Sequence, residues 1–261
     1  MSQIATPGRL TDPPTALSTA PAIAIRGLTL RFGGETLFEN LDLDLEAGRF
    51  TVLLGASGVG KTTLLRIVAG LETPDGPGGS VRADDGRPLA GRIAWMAQQD
   101  LLCPWLDAAA NVALGDRLRG RRPDRDRVAG MLASVGLDGR GGVMPAALSG
   151  GMRQRVALAR TLYENRKVVL MDEPFSALDS PTRLRIQDLA ADRLAGRTVL
   201  LITHDALEAC RLADRLVVLA GRPARLIEHP VPPGPVPRRS DDAEVLAAQG
   251  ALLERLAAGI G

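Results

Sequence analysis

A short apolar run, Phe50-Thr51-Val52-Leu53-Leu54, passes without a break into Gly55-Ala56-Ser57-Gly58-Val59-Gly60-Lys61-Thr62-Thr63, and residues 61–70 then carry helical periodicity. A strand, a glycine loop and a helix in that order admit few folds. A nearly all-apolar run fits a strand buried on both faces, as in a parallel sheet covered by helices. Gly55, Gly60, Lys61 and Thr62 match the phosphate-loop pattern G-x-x-x-x-G-K-[ST]. Glycines let successive backbone N–H groups converge on an anion, and a helix opening near Gly60 aims its unpaired N–H groups and positive dipole end at the same point. Lys61 is expected to place a charge between the β- and γ-phosphates, and Thr62 a hydroxyl on Mg²⁺. The competing reading, a chance glycine turn, leaves the flanking strand and helix unexplained. The chain is read as binding a nucleoside triphosphate.

At 261 residues, with 45% hydrophobic and 24% charged side chains, the chain can bury a substantial core. The net charge is only +2 and the arginines are spread along the sequence, whereas a nucleic-acid binder shows a basic stripe; no nucleic-acid partner is expected. Two cysteines, Cys103 and Cys210, and two histidines lack metal-ligand spacing and read as small buried thiols in a reducing compartment. No apolar run approaches the roughly 18–20 residues of a membrane span. Residues 1–21 are expected to be a disordered leader rather than a signal peptide or anchor. Any membrane role is then exercised from the cytosolic side through a partner.

Residues 22–30 and 41–45 alternate as strands, and Gly33-Gly34 between them marks a turn, so the two are expected to pair antiparallel. Further buried strands are expected at 92–96, 167–171, 198–202 and 215–219, with helical patterns separating several of them, which gives a parallel α/β core. The β signal disappears between 107 and 162. Residues 107–118, 125–135 and 151–162 read as helices, so a helical subdomain (about 100–163) is expected as an insertion into a 22–229 core. Five prolines in 230–237 read as an extended linker, and 241–258 as an amphipathic terminal helix.

Lys167-Val168-Val169-Leu170-Met171-Asp172-Glu173 delivers two carboxylates at the end of a buried strand, where open α/β sheets hold their ligands. Consecutive residues point to opposite sides, so the pair can divide its work. Asp172 would hold Mg²⁺, and Glu173 would polarise an attacking water. His204 follows the strand 198–202 at the corresponding edge and is read as a γ-phosphate sensor. A lone histidine at a strand end is otherwise an ordinary surface residue.

Taken together these motifs resemble the ATP-binding subunit of an ABC transporter. Leu148-Ser149-Gly150-Gly151-Met152-Arg153-Gln154 is similar to that family's signature motif, residues 168–173 to its Walker B strand, and Ser176-Ala177-Leu178-Asp179 to its D-loop. Gln98 falls at the Q-loop, beside an adjacent Gln99; His204 falls at the switch histidine, and Phe32 at the aromatic that stacks on adenine. The resemblance spans residues 23–228 with every motif in order. It implies a RecA-like parallel-sheet core of the P-loop NTPase (ABC-type) α/β class, with an N-terminal antiparallel β subdomain and an inserted helical subdomain. It also implies ATP and Mg²⁺ as ligands, with Glu173, His204 and Gln98 as catalytic residues. Phe32, Gly55, Ala56, Ser57, Gly58, Val59, Gly60, Lys61, Thr62, Thr63, Ser149, Gly150, Gly151, Gln154 and Asp179 would touch nucleotide, and Thr62, Gln98 and Asp172 the metal.

The same resemblance implies a head-to-tail homodimer sandwiching two ATP molecules, membrane-spanning permease subunits and a separate solute-binding protein, at the cytoplasmic face of the cell membrane. Gln98 followed by Pro104-Trp105-Leu106 is similar to the nitrate/sulfonate/taurine importer group; Met96-Ala97-Gln98-Gln99-Asp100 and Gly196-Arg197-Thr198-Val199 resemble thiamine-precursor (hydroxymethylpyrimidine) systems. The stretch 101–106 is read as part of a groove for a permease helix, against the alternative of core packing. Other readings remain: a soluble ABC ATPase acting on ribosomes or DNA, and an efflux ATPase. The soluble class usually carries two cassettes or a long coiled-coil insertion.

Overall fold

The computed structural model describes residues 20–73 and 79–257. A three-stranded antiparallel sheet has the order β2-β1-β4, from β1 (Ile23–Phe32), β2 (Glu35–Leu45) and β4 (Ser80–Ala83). Gly33 and Gly34 turn between β1 and β2 with φ of 60° and 87°, values that favour glycine. A six-stranded sheet has the order β5-β6-β7-β3-β8-β9, built from β3 (Phe50–Gly55), β5 (Ile93–Met96), β6 (Val168–Asp172), β7 (Thr198–Thr203), β8 (Arg215–Ala220) and β9 (Arg225–His229). All its pairings are parallel except β8 with β9. The expected α/β class therefore holds.

β3, β6 and β7 are buried along their whole length. Val52, Leu54, Val169, Met171, Val199 and Leu201 face one core, which the helices cover. Leu53, Val168, Leu170, Leu200 and Ile202 face a second, shared with the antiparallel sheet and with α1 (Lys61–Val68). Both faces of the sheet are thus buried, and polar chemistry is left to its edges.

Between β5 and β6 lie α2 (Ala108–Val112), α3 (Leu114–Leu118), α4 (Arg125–Ser134) and α5 (Gly150–Tyr163). The single helix expected at 107–118 is two. Ala113, with ψ of 7°, breaks the repeat between them, and Gly115 beyond it is a weak helix former packed so closely that a Cβ would lie 1.6 Å from the Glu164 carboxylate. α6 (Ser180–Leu194), α7 (Ala206–Leu212) and α8 (Ala243–Ala257) are the remaining helices among the described residues. Two strands went unexpected, β4 and β9.

Most of the leader expected at 1–21 lies outside the described residues, but Ala20 is buried and the Pro21 carbonyl accepts a hydrogen bond from Thr198 Oγ1 at 2.7 Å. Residues 230–237, expected as an extended linker, hold no helix or strand and are tied to the core at one end. Buried Arg238 at its end donates to the carbonyls of Pro233, Cys210 and Ala213, while Arg211 Nε donates to the Arg238 carbonyl at 2.9 Å. This clasp sets α8 against the core through Val245 and Leu252. Cys210 is buried, which pushes its thiol up to about 11; Cys103 is only partly covered. Among the described residues no helix is long and apolar enough to cross a membrane.

Candidate nucleotide site

Because the inner strands run parallel, the loops after β3, β5, β6 and β7 open at one edge of the sheet. That edge gathers the phosphate loop, Gln98, Asp172-Glu173 and His204 from four separate stretches of sequence. Gly55 ends β3 where a Cβ would meet the Leu219 carbonyl oxygen at 2.4 Å, so no larger residue fits. Gly60 has φ of 105°, and a Cβ there would strike the Phe38 ring at 2.8 Å. Gly60 also caps α1 without any side-chain bond, which leaves the first N–H groups of α1 free for an anion. Ala56, Ser57 and Gly58 stand exposed at the tip of the loop.

Lys61 is buried and folds back over the loop, its Nζ donating to the carbonyls of Gly55 at 2.8 Å and Ala56 at 2.9 Å. Burial lowers its pKa, while the charges of Glu173 and Asp172 pull it up. Thr62 Oγ1 donates to Asp172 Oδ2 at 2.7 Å. Burial raises the pKa of Asp172, and the hydroxyl of Thr62 works against that rise. Thr62 and Asp172 present hard oxygen donors side by side beside the anion cradle, the donor set that suits Mg²⁺.

Glu173 turns away from the strand with φ of 46°, in the left-handed region that side chains seldom adopt. Gln98 Nε2 donates to its Oε2 at 3.2 Å, and His204 Nδ1 lies 3.1 Å from Oε1. Gln98 rather than Gln99 therefore reaches the carboxylate. Asp205 caps α7 by accepting from the N–H groups of Leu207 and Glu208, which fixes the chain just beyond His204. The carboxylate is held from both sides by the two groups expected to share its work.

Of the other expected residues, Gly150 and Gln154 line a separate cleft with Gln98, and none of the signature turn reaches the phosphate loop. A cleft of about 490 Å³ at the phosphate loop is lined by Leu37, Gly58, Gly60, Lys61, Thr62, Thr63, Arg66 and Glu72, and includes none of the signature turn. Ser149 and Gly150 stand exposed at the start of α5, where Ser149 Oγ accepts from the Met152 N–H at 3.3 Å. Asp179 is exposed and caps α6 through the Thr182 N–H. Gln154 is among the residues expected to touch nucleotide. It is buried, and both ends of its amide bond to the turn after Glu173 of its own chain. The backbone of Phe32 ends β1 opposite Glu35, while its side chain lies outside the described residues.

Sequence reasoning passed over Asn111, which is fully buried beneath residues 103–107. Its Oδ1 accepts from the Cys103 N–H, and its Nδ2 donates to the carbonyls of Cys103, Leu106 and Asp107. Nothing local marks it, because its partners are loop carbonyls. Above this pin Trp105 is 74% exposed and Leu101 60%, while Leu102 between them is buried in the core.

A family model described as ABC transporter matches residues 38–176. Aliphatic sulfonates import ATP-binding protein SsuB 1 of Nocardia farcinica is 44% identical over 246 residues, covering 93% of this chain and 96% of that protein. The corresponding SsuB of Rhodopseudomonas palustris is 42% identical, covering 96% of this chain and 88% of its own. Among solved structures, the dimeric post-hydrolysis state of the ATP-binding cassette MJ0796, bound to ADP and Pi, aligns with a TM-score of 0.71 at 29% identity over 81% of this chain and 100% of that one. A second dimeric structure of MJ0796, described as a bacterial ABC transporter cassette, aligns at 0.67 and 30% identity over 75% and 93%. With such identity sustained over nearly its whole length, this chain belongs to the ABC transporter family, as an ATP-hydrolysing subunit.

Proposed function

We propose that two copies of this chain close head to tail around two ATP molecules, and that the closure energises import of an aliphatic sulfonate through membrane-spanning permease subunits. One observation carries the proposal. The cleft at the phosphate loop includes no residue of the Ser149–Gly151 turn, whose Ser149 and Gly150 stand exposed at the start of α5. A helix N-terminus with open N–H groups suits a γ-phosphate, and that phosphate would belong to the partner's ATP. The dimeric MJ0796 cassettes support the pairing. The names of the relatives favour import over efflux or ribosomal work, and a sulfonate over a hydroxymethylpyrimidine.

In this reading the N–H groups of residues 56–63 cradle the phosphates, Lys61 leaves its carbonyls to meet them, and Phe32 stacks on adenine. Thr62, Asp172 and Gln98 would hold Mg²⁺, which supplies charge neutralisation on the phosphate oxygens. Glu173 takes the proton of the attacking water, and His204 passes from Glu173 to the γ-phosphate. Asp179 reaches across to the partner. Loss of phosphate removes the charge that holds the halves together, and the dimer opens. A separate solute-binding protein delivers the sulfonate outside, and the permease holds the subunit at the cytoplasmic face of the membrane. The test is Glu173→Gln: ATP affinity stays, turnover falls by roughly 10²–10⁴ as for loss of a general base, and ATP traps a dimer visible by size-exclusion chromatography. Normal turnover, or a monomer at saturating ATP, refutes the scheme.

A further inference from the structure

Glu173 makes an unusual backbone demand. Its φ of 46° is seldom held by a residue with a side chain unless the surroundings impose it. On the strand side its N–H donates to the Ile202 carbonyl at 2.9 Å. On the other side the turn is held by one buried residue from another element. Gln154 Nε2 donates to the Glu173 carbonyl at 3.0 Å and to Ser176 Oγ at 3.4 Å, while its Oε1 accepts from the Ala177 N–H at 2.7 Å. Ser176 Oγ adds a bond to the same Glu173 carbonyl at 3.1 Å.

Only an amide does this. One end must donate to a carbonyl and the other accept from an N–H. A carboxylate would face the Glu173 carbonyl without a proton, and a thioether would fill the space and bond to nothing. Gln154 also sits in the first turns of α5, whose start is drawn tightly onto the same segment: a Cβ on Gly151 would lie 3.1 Å from the Ala177 carbonyl oxygen. Its neighbour Arg153 donates to the Leu148 carbonyl at 2.8 Å and to Asp100 Oδ2 at 3.0 Å, two residues beyond Gln98. The start of α5 is therefore bonded both to the turn that follows Glu173 and to the segment that follows Gln98.

We infer that Gln154 is a positioning residue for Glu173, so that α5 carries the Ser149–Gly151 turn and the backbone support of the same chain's water-activating carboxylate as one piece. The inference rests on Glu173 being the base of the proposed reaction. Engagement of Ser149 with the partner's nucleotide then bears directly on the aim of Glu173 at its own.

Gln154→Met and Gln154→Glu in the full chain test this by steady-state ATPase kinetics, ATP binding and thermal melting. The expected result is a loss of roughly tenfold or more in kcat, with KM and ATP affinity within about threefold of the parent, the pattern of a lost transition-state interaction. In the Glu173→Gln background, Gln154→Met should still pair on addition of ATP. Unchanged kcat in both variants overturns the inference. So does a raised KM with weakened ATP-driven pairing, which would put Gln154 on the partner's nucleotide. If either variant fails to fold, the other decides. A Glu173→Gln protein that turns over normally would fault the base itself; an inactive one beside a fully active Gln154→Met faults only the positioning role.

Discussion

Thr62 donates its hydroxyl to Asp172 across 2.7 Å, joining the first turn of α1 to the carboxyl end of β6. The two residues come from separate motifs, and their contact sets the phosphate loop against the acidic strand end. Asp172 is almost completely buried, and burial pushes its carboxyl toward the neutral form. The Thr62 hydroxyl and the nearby Lys61 charge work the other way and favour the carboxylate, the form a hard cation requires.

Thr62→Ser keeps that hydroxyl and is expected to keep hydrolysis close to the parent level. Thr62→Val keeps the shape and loses the oxygen. A hydrogen bond to a charged group is worth about 1.5–3 kcal/mol, so kcat/KM should fall roughly ten- to a hundredfold. The Mg²⁺ concentration for half-maximal rate should rise with it. An Mg²⁺ titration of both variants checks this, and a valine protein with parental Mg²⁺ dependence removes Thr62 from the metal.

Glu208 provides a pH signature of the fold. It is buried on α7, where Gln187 Nε2 donates to its Oε2 at 3.0 Å, and burial raises its pKa to about 8 from an ordinary 4.5. Between those values the unfolded chain has released the proton and the folded chain keeps it. The stability contributed by this group is thus complete below pH 4.5 and declines as pH climbs to about 8, where the folded group ionises. Glu208→Gln removes the titration. The melting temperature of the variant minus that of the parent should grow across this window and level off above it. A difference independent of pH would place the Glu208 pKa near its ordinary value.

What could be read in the sequence was local. The phosphate loop, Asp172-Glu173 and His204 each follow an apolar run, and strand ends of a parallel sheet meet at one edge, so motif order alone brought them together. β4 carries Arg82 in four residues, and β9 carries Arg225, Glu228 and His229 along an edge. Neither holds enough apolar alternation to stand out. Gln154 and Asn111 sit inside helices whose periodicity says nothing of a polar residue turned inward. Their bonds run to backbone groups of other segments, so only the fold reveals what they hold. Nothing local marks Arg238, just past the prolines, because its partners are the carbonyls of Cys210 and Ala213 at the close of α7.

Trp105 stands 74% exposed on a loop that Asn111 pins from beneath and Arg160 ties through the carbonyls of Asp100 and Leu101. A large aromatic ring presented on a rigid platform loses little freedom on binding, and such residues dominate interfaces. The loop begins two residues beyond Gln98, whose amide donates to Glu173, so a short stretch of chain joins Trp105 to the carboxylate proposed as the base. Trp105→Ala should leave ATP hydrolysis by the isolated subunit within about twofold of the parent. In vesicles carrying the proposed permease subunits, affinity for the membrane complex should fall by roughly thirtyfold, the value of a 2 kcal/mol interface anchor, and uptake of the proposed sulfonate should fall with it. Hydrolysis lost in the isolated subunit would make the ring structural, and uptake at the parental rate would move the docking site elsewhere on the molecule.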